Sequence, residues 1–187
     1  SITAVITSME EPLGRAIGNS LEIIENKNIV IVESGIGKVN ASRATQILID
    51  NMKVDCIINI GVACGLYEKL NIGDIVISKN LIQHDFELTA FNYPKGYIPN
   101  VGDYIEADEY LIKLFYEEKT NNNVYIGTIA SGDIFITEPN MSKKIRNKFD
   151  AYCVEMEGAA IAQTCHLSNI PFVVIRSISD TPNNTNN

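Results

Sequence analysis

Phe172-Val173-Val174-Ile175 is apolar at every position and leads, through Arg176, into Ser177-Ile178-Ser179-Asp180. A strand with no polar face has no solvent side, so it belongs in the middle of a sheet covered by helices on both faces. Cys56-Ile57-Ile58-Asn59-Ile60 reads the same way. Working outward, Ile2–Thr7, Ile29–Glu33, Asp74–Ser78 and Val124–Ala130 also read as strands, with a short one around Ala151–Val154. Helical periodicity fills the gaps between them. Val39–Met52 sets Ala41, Ala44, Ile47 and Leu48 on one stripe, and Ala107–Lys119 does so with Leu111, Leu114 and Phe115. Met156–Leu167 carries Ala159, Ala160 and Ala162, small residues that let a helix lie close on a sheet. Such alternation predicts an α/β layered fold. No repeat, linker or low-complexity tract interrupts it, and Asn121-Asn122-Asn123 reads as a turn. We therefore expect one domain over residues 1–187.

The chain is 45% hydrophobic and 20% charged, the balance of a folded soluble protein. Its net charge of −8 provides no positive field for nucleic acid or an anionic membrane surface. The densest basic group, Lys143, Lys144, Arg146 and Lys148, reads as one solvated helix face. Cys56, Cys64, Cys153 and Cys165 form no CxxC pair, and His84 and His166 are remote from them in sequence, so neither zinc nor another metal is expected. No charged leader precedes a long apolar stretch, and no run approaches membrane-spanning length. The expectation is a reduced, cytoplasmic protein without a cofactor.

In α/β sheets, ligands bind beyond the carboxyl ends of strands. Four such ends are chemically unusual here: Ser8-Met9-Glu10-Glu11, the small-residue turn Gly61-Val62-Ala63-Cys64-Gly65-Leu66, Glu155-Met156-Glu157-Gly158, and Ser177-Ile178-Ser179-Asp180. Any one alone is explained by a helix cap or a solvated loop. Three carboxylate clusters on one edge are not explained by packing, because unpaired buried charge is costly. Arg176, inside an apolar strand, is expected to pair with one of these carboxylates. Ser34-Gly35-Ile36-Gly37-Lys38 lacks the spacing of a phosphate loop and reads as a tight strand-to-helix turn. Asp133 reads as a structural acceptor, His166 as a structural or surface residue, and His84-Asp85 as either a capped turn or part of a pocket. Glu155 either contacts a ligand or orients its neighbours.

Taken together the motifs are specific. Ser8-Met9-Glu10-Glu11, Ser34-Gly35-Ile36-Gly37-Lys38-Val39, Gly73-Asp74-Ile75-Val76, His84-Asp85 with Thr89-Ala90-Phe91, Ser131-Gly132-Asp133-Ile134-Phe135-Ile136, Val154-Glu155-Met156-Glu157 and Ile178-Ser179-Asp180 occur in this order. Over essentially its whole length the chain resembles the bacterial methylthioadenosine/S-adenosylhomocysteine nucleosidases. The resemblance implies a three-layer α/β/α, nucleoside-phosphorylase-like fold around a curved mixed sheet, a homodimer, and an adenine nucleoside substrate. It implies that Asp180 is the general acid to N7 of adenine, that Ser179 holds the base, and that Glu157 clasps the ribose hydroxyls with Met156 packed on the sugar. Phe135 would stack on the purine and Ile136 would read its edge. Phe91, in the segment His84–Pro99, would close the thioalkyl pocket across the dimer interface. Met9, Ile36, Ala63, Cys64 and Glu155 complete the expected contacts. Carboxyl groups suit such chemistry, since breaking an N-glycosidic bond places positive charge on the ribose and negative charge on the base.

Four departures from the family pattern stand out. Pro12 occupies the position of a third Glu taken as the water-activating base, which leaves Glu11 as the substitute. The segment between Met9 and Ser34 is too short for the helix and hairpin expected there. A last helix is expected beyond Asp180. Val62 and Cys64 stand where Ser and Gly are usual. Either the chain is a degenerate member, or the natural protein carries further residues between Glu11 and Pro12 and after Asn187. We expect the latter, and intact mass decides it. The competing functions are phosphorolysis, cleavage of 5'-deoxyadenosine or aminofutalosine, and nucleoside binding without catalysis.

Overall fold

In the computed structural model, which describes residues 3–7, 23–26 and 28–182, the two apolar runs lie side by side. They form β4 (Cys56–Gly65) and β9 (Phe172–Asp180), paired in parallel from Ile57 opposite Phe172 to Cys64 opposite Asp180. On the other edge of β4 lies β1 (Thr3–Thr7), also parallel, followed by β3 (Ile29–Glu33). β2 (Ile23–Asn26) pairs antiparallel with β3, so the hairpin expected to be missing before Ser34 is present. The expected helix and the stretch around Pro12 lie outside the described residues.

Across β9 the sheet continues antiparallel to β5 (Ile75–Gln83), which carries the short β6 (Ile105–Glu106). β5 pairs in parallel with β7 (Val124–Ser131), and β7 with β8 (Ala151–Glu155). The end of β4 then pairs antiparallel with β8. Strands β4, β9, β5, β7 and β8 thus close a ring, which gives the mixed sheet its curvature. Register shifts in the β4–β9, β5–β7 and β7–β8 pairings supply the local bends closure needs.

Two strands run further than the pattern predicts. β5 continues past Ser78 to Gln83. β4 continues through Gly61 to Gly65, so the small residues there are not a turn. Their smallness serves a close approach: a Cβ on Gly61 would overlap the Arg176 guanidinium of β9. Apolar pattern alone could not show this, because the extension is held by pairing with β8 and β9, far along the sequence.

Helices flank the ring. α1 (Lys38–Met52) begins after Gly37, whose φ of 94° no helix accepts, and packs on β1 and on α4 (Gly158–Leu167). The face of α4 that holds Ala159, Ala160, Ala162 and Cys165 is buried, as the alanine pattern predicted. Its start moves from Met156 to Gly158 because Glu157 is not helical (φ −132°). α2 (Glu109–Tyr116) is shorter than expected and is capped by Asp108, whose carboxylate accepts from Leu111 N at 2.9 Å. α3 (Pro139–Phe149) turns Ser142, Ile145 and Phe149 inward. Lys143, Lys144 and Lys148 are solvated as expected, but Arg146 is not. It lies over the rings of Tyr67 and Tyr152, 5.1 and 5.7 Å from their centroids. No helix among the described residues is long and apolar enough to cross a membrane.

Candidate active site

β8 ends on Glu155, a buried carboxylate with every oxygen engaged. Oε1 accepts from Ser131 Oγ and from Gly158 N at 3.0 Å. Oε2 accepts from Glu157 N at 3.1 Å, from Gly158 N at 2.8 Å and from Arg176 Nη2. Arg176 is wholly buried within β9, and its Nη2 also donates to Asn59 Oδ1 at 2.6 Å. Asn59 in turn donates to Ile6 O at 2.9 Å, tying the cluster to β1. The expected pairing of Arg176 with a carboxylate is therefore seen, and Glu155 is the partner. A buried ion pair persists when its remaining polar atoms are satisfied, which Ser131, Asn59 and the α4 N–H groups do for most of them. Nε and Nη1 of Arg176 have no partner among the described residues.

Two residues on, Glu157 differs. It is buried, but among the described residues its carboxylate meets only Gly37 N at 3.2 Å and Met156 N at 3.2 Å. Burial, reinforced by the neighbouring Glu155 charge, pushes its carboxyl above the usual value. Oxygen capacity is left over for a ligand donor.

At the end of β9, Asp180 is half-buried, with Ser179 Oγ 2.7 Å from its Oδ1. Ser179 Oγ also lies 3.4 Å from Ala63 O of β4. The register shift after Ala63 skips Ser179 and brings Cys64 opposite Asp180. Burial first, and the Asp180 carboxylate second, push the Cys64 thiol up to about 12.

Between these strand ends opens a cleft of about 150 Å³, lined by Ile36, Val62, Ala63, Cys64, Ile134, Phe135, Ile136, Val154, Glu155, Met156, Glu157, Ser179 and Asp180. Apolar walls thus enclose Glu157 and Asp180. The structure gathers Ile36, Ala63, Cys64, Phe135, Ile136, Glu155, Met156, Glu157, Ser179 and Asp180 from the sequence reading into one site. Phe91 is not among them: it is 72% exposed in the single turn Thr89–Phe91, outside this cleft. Met9 and Glu11 lie outside the described residues. Sequence reasoning missed Ile134 and Val154 as walls, although both stand within the motifs that carry the resemblance.

Ser34-Gly35-Ile36-Gly37-Lys38 is the strand-to-helix turn expected, with positive φ at Gly35 (82°) and Gly37 (94°). Lys38 Nζ donates to Asp85 Oδ1 at 2.8 Å and Gln83 Oε1 at 3.1 Å, so its charge is spent inside the protein. Asp133 Oδ1 accepts from Lys38 N at 2.8 Å, the structural role foreseen for it. His84 is buried beside this group, and His166 is exposed.

Helices around a partly closed mixed sheet, with carboxylates on an apolar cleft at the strand ends, define an α/β protein of the nucleoside-phosphorylase fold. Residues 12–187 match the family model described as the phosphorylase superfamily. A 5'-methylthioadenosine/S-adenosylhomocysteine nucleosidase of Bacillus pumilus is 46% identical over 162 residues, covering 84% of this chain and 70% of that protein. The nucleosidase of that name from S. pneumoniae, solved with the transition-state inhibitor MT-ImmA, superposes with a TM-score of 0.87 at 33% identity. That match covers 97% of this chain and 87% of the other. The futalosine hydrolase of Helicobacter pylori superposes at 0.86 with 32% identity, over 95% and 84% of the two chains. The chain belongs to the family of 5'-methylthioadenosine/S-adenosylhomocysteine nucleosidases within the phosphorylase superfamily.

Proposed function

We propose that this protein hydrolyses the N-glycosidic bond of 5'-methylthioadenosine and S-adenosylhomocysteine, releasing adenine and the thioribose. The observation that carries the reading is the placement of Asp180, at the end of β9, and Glu157, just beyond β8 at the start of α4, on one apolar cleft. Asp180 gives a proton to N7 of adenine as the C1'–N9 bond breaks and its electron pair passes to the base. Glu157, with acceptor capacity unused, takes the ribose hydroxyls and faces the positive charge that develops on the sugar. Water adds to C1' from the opposite face and loses a proton to a base, the role the sequence assigns to Glu11. Phe135 and Ile136 hold the purine, with Ile36, Ala63, Cys64, Met156 and Ser179 completing the wall. Glu155, committed to Ser131, Arg176 and the α4 N–H groups, positions Glu157 rather than touching substrate.

Hydrolysis is favoured over phosphorolysis by Lys38. The cation of the glycine turn is engaged by Asp85 and Gln83 and is not among the residues lining the cleft, so it is not placed to take a phosphate there. Cleavage of 5'-deoxyadenosine or aminofutalosine would use the same base and ribose contacts and differ at the 5' end.

A single domain over residues 1–187 is supported by the continuous sheet among the described residues. A homodimer is supported by Phe91, a large apolar side chain exposed beyond the cleft of its own chain. A cytoplasmic setting is supported by Cys56, Cys64, Cys153 and Cys165, all free.

Adenine release from methylthioadenosine in phosphate-free buffer tests the reading. The parent should release adenine, and Asp180→Asn should lose at least about a hundredfold in kcat, the range of a lost general acid. Release that requires phosphate would assign a phosphorylase. No release from folded parent would leave a nucleoside-binding protein.

A further inference from the structure

Lys38, Asp85 and Asp133 come from three separate segments and close a ring. Asp85 Oδ1 accepts from Lys38 Nζ at 2.8 Å, and Asp85 Oδ2 accepts from Asp133 N at 2.9 Å. Asp133 Oδ1 returns to the backbone by accepting from Lys38 N at 2.8 Å. The ion pair is well shielded, with 19% and 17% of the two side chains exposed. Burial raises the Asp85 carboxyl, but the hydrogen bonds from Lys38 and Asp133 outweigh it and hold the group below its usual value. The next N–H along the backbone, that of Gly37, donates to Glu157 Oε1 at 3.2 Å. Gly37 sits at φ 94°, and a Cβ there would lie 3.1 Å from Asp133 Oδ1, so the ring needs glycine at this point.

We propose that Asp85 and Lys38 are positioning residues for the nucleosidase reaction: their ring fixes the Ile36–Gly37 turn so that the Gly37 N–H holds the Glu157 carboxylate in its ionised, ribose-binding orientation. The proposal rests on the nucleosidase reading. The two charges compensate each other, so the ring presents Glu157 with an aimed N–H dipole and little net field. The other groups facing Glu157 are Glu155 and Arg176 beside it, the Met156 N–H, and Asp180 across the cleft. A ring broken at either charge should release the Gly37 N–H and leave the carboxylate less stabilised.

The pH profile of kcat/KM separates this from a merely structural role. Asp85→Asn removes a negative charge and Lys38→Met a positive one, so a direct field effect would move the acid limb in opposite directions. Loss of the Gly37 hydrogen bond moves it upward in both. We expect each variant to lose roughly tenfold in kcat/KM with the acid limb at higher pH, as small misplacements of a reacting group do. The double variant should lose no more than either single one, and Lys38→Arg should recover most of the activity. Acid limbs that move oppositely, or that stay put while activity falls, would overturn the proposal, as would losses that multiply in the double variant. Circular dichroism confirms that each variant is folded. An inactive parent would instead sink the nucleosidase reading. In that event, calorimetric titration with methylthioadenosine at several pH values reads the same shift through binding.

Discussion

Glu157 is a carboxylate the fold keeps at a cost. Its folded value lies above the unfolded one of about 4.3, because burial and Glu155 disfavour its charge. A group raised in this way contributes stability below its unfolded value and loses that contribution as pH rises through its folded value. Gln does not titrate. The melting temperature of Glu157→Gln should therefore gain on the parent as pH climbs above about 4.3, measured by calorimetry on both proteins across that range. The same variant should release adenine far more slowly. A difference in melting temperature that does not change with pH would mean the folded carboxyl is unshifted. Glu155, two positions away, shows that sequence proximity does not decide role. Both residues stand in one motif, but among the described residues only Glu155 meets Arg176 and Gly158 N, which occupy its oxygens.

At the scale of elements, β4 and β9 form one wall of the site, and Gly61 governs how closely they can place their side chains. A Cβ at Gly61 would overlap the Arg176 guanidinium, and Arg176 has no exposed surface through which to retreat. Gly61→Ala should cost about 1–3 kcal/mol, the range for overpacking a full core, read as a lower urea midpoint with an unchanged m value. Adenine release should fall with it, since Arg176 anchors Glu155 and Glu155 aligns Glu157. An unaltered midpoint would show that β4 yields easily. Much at this scale was legible beforehand. The apolar runs at Cys56–Ile60 and Phe172–Ile175 announced central strands, and the alanines of α4 announced a close helix. The extensions of β4 to Gly65 and β5 to Gln83 were not legible, because the first is made of small residues that read as a turn and the second carries Lys79, Asn80 and Gln83 among its apolar residues. Hydrogen-bonded partners, not local pattern, hold those segments extended.

At the scale of the molecule, the mouth of the cleft bears exposed apolar surface: Ile36 at 62%, Phe135 at 74% and, further out, Phe91 at 72%. A patch of this kind fits covering by a substrate and by a second copy of the chain. Sedimentation equilibrium at micromolar concentration should return twice the chain mass, and a monomer there would end the homodimer reading. If Phe91 reaches the thioalkyl end across that interface, Phe91→Ala should raise KM severalfold and leave kcat nearly unchanged. The sequence by itself determined the α/β class, the central strands, and the edge on which Glu155, Glu157 and Asp180 gather, since apolar period and costly charge are properties of the local chain. Only the tertiary structure decided which carboxylate is free to meet a ligand, that Cys64 stands opposite Asp180, and that Lys38 is neutralised by Asp85. Those outcomes depend on register, on a bulge and on partners tens of residues apart, and a linear pattern encodes burial without encoding who meets whom.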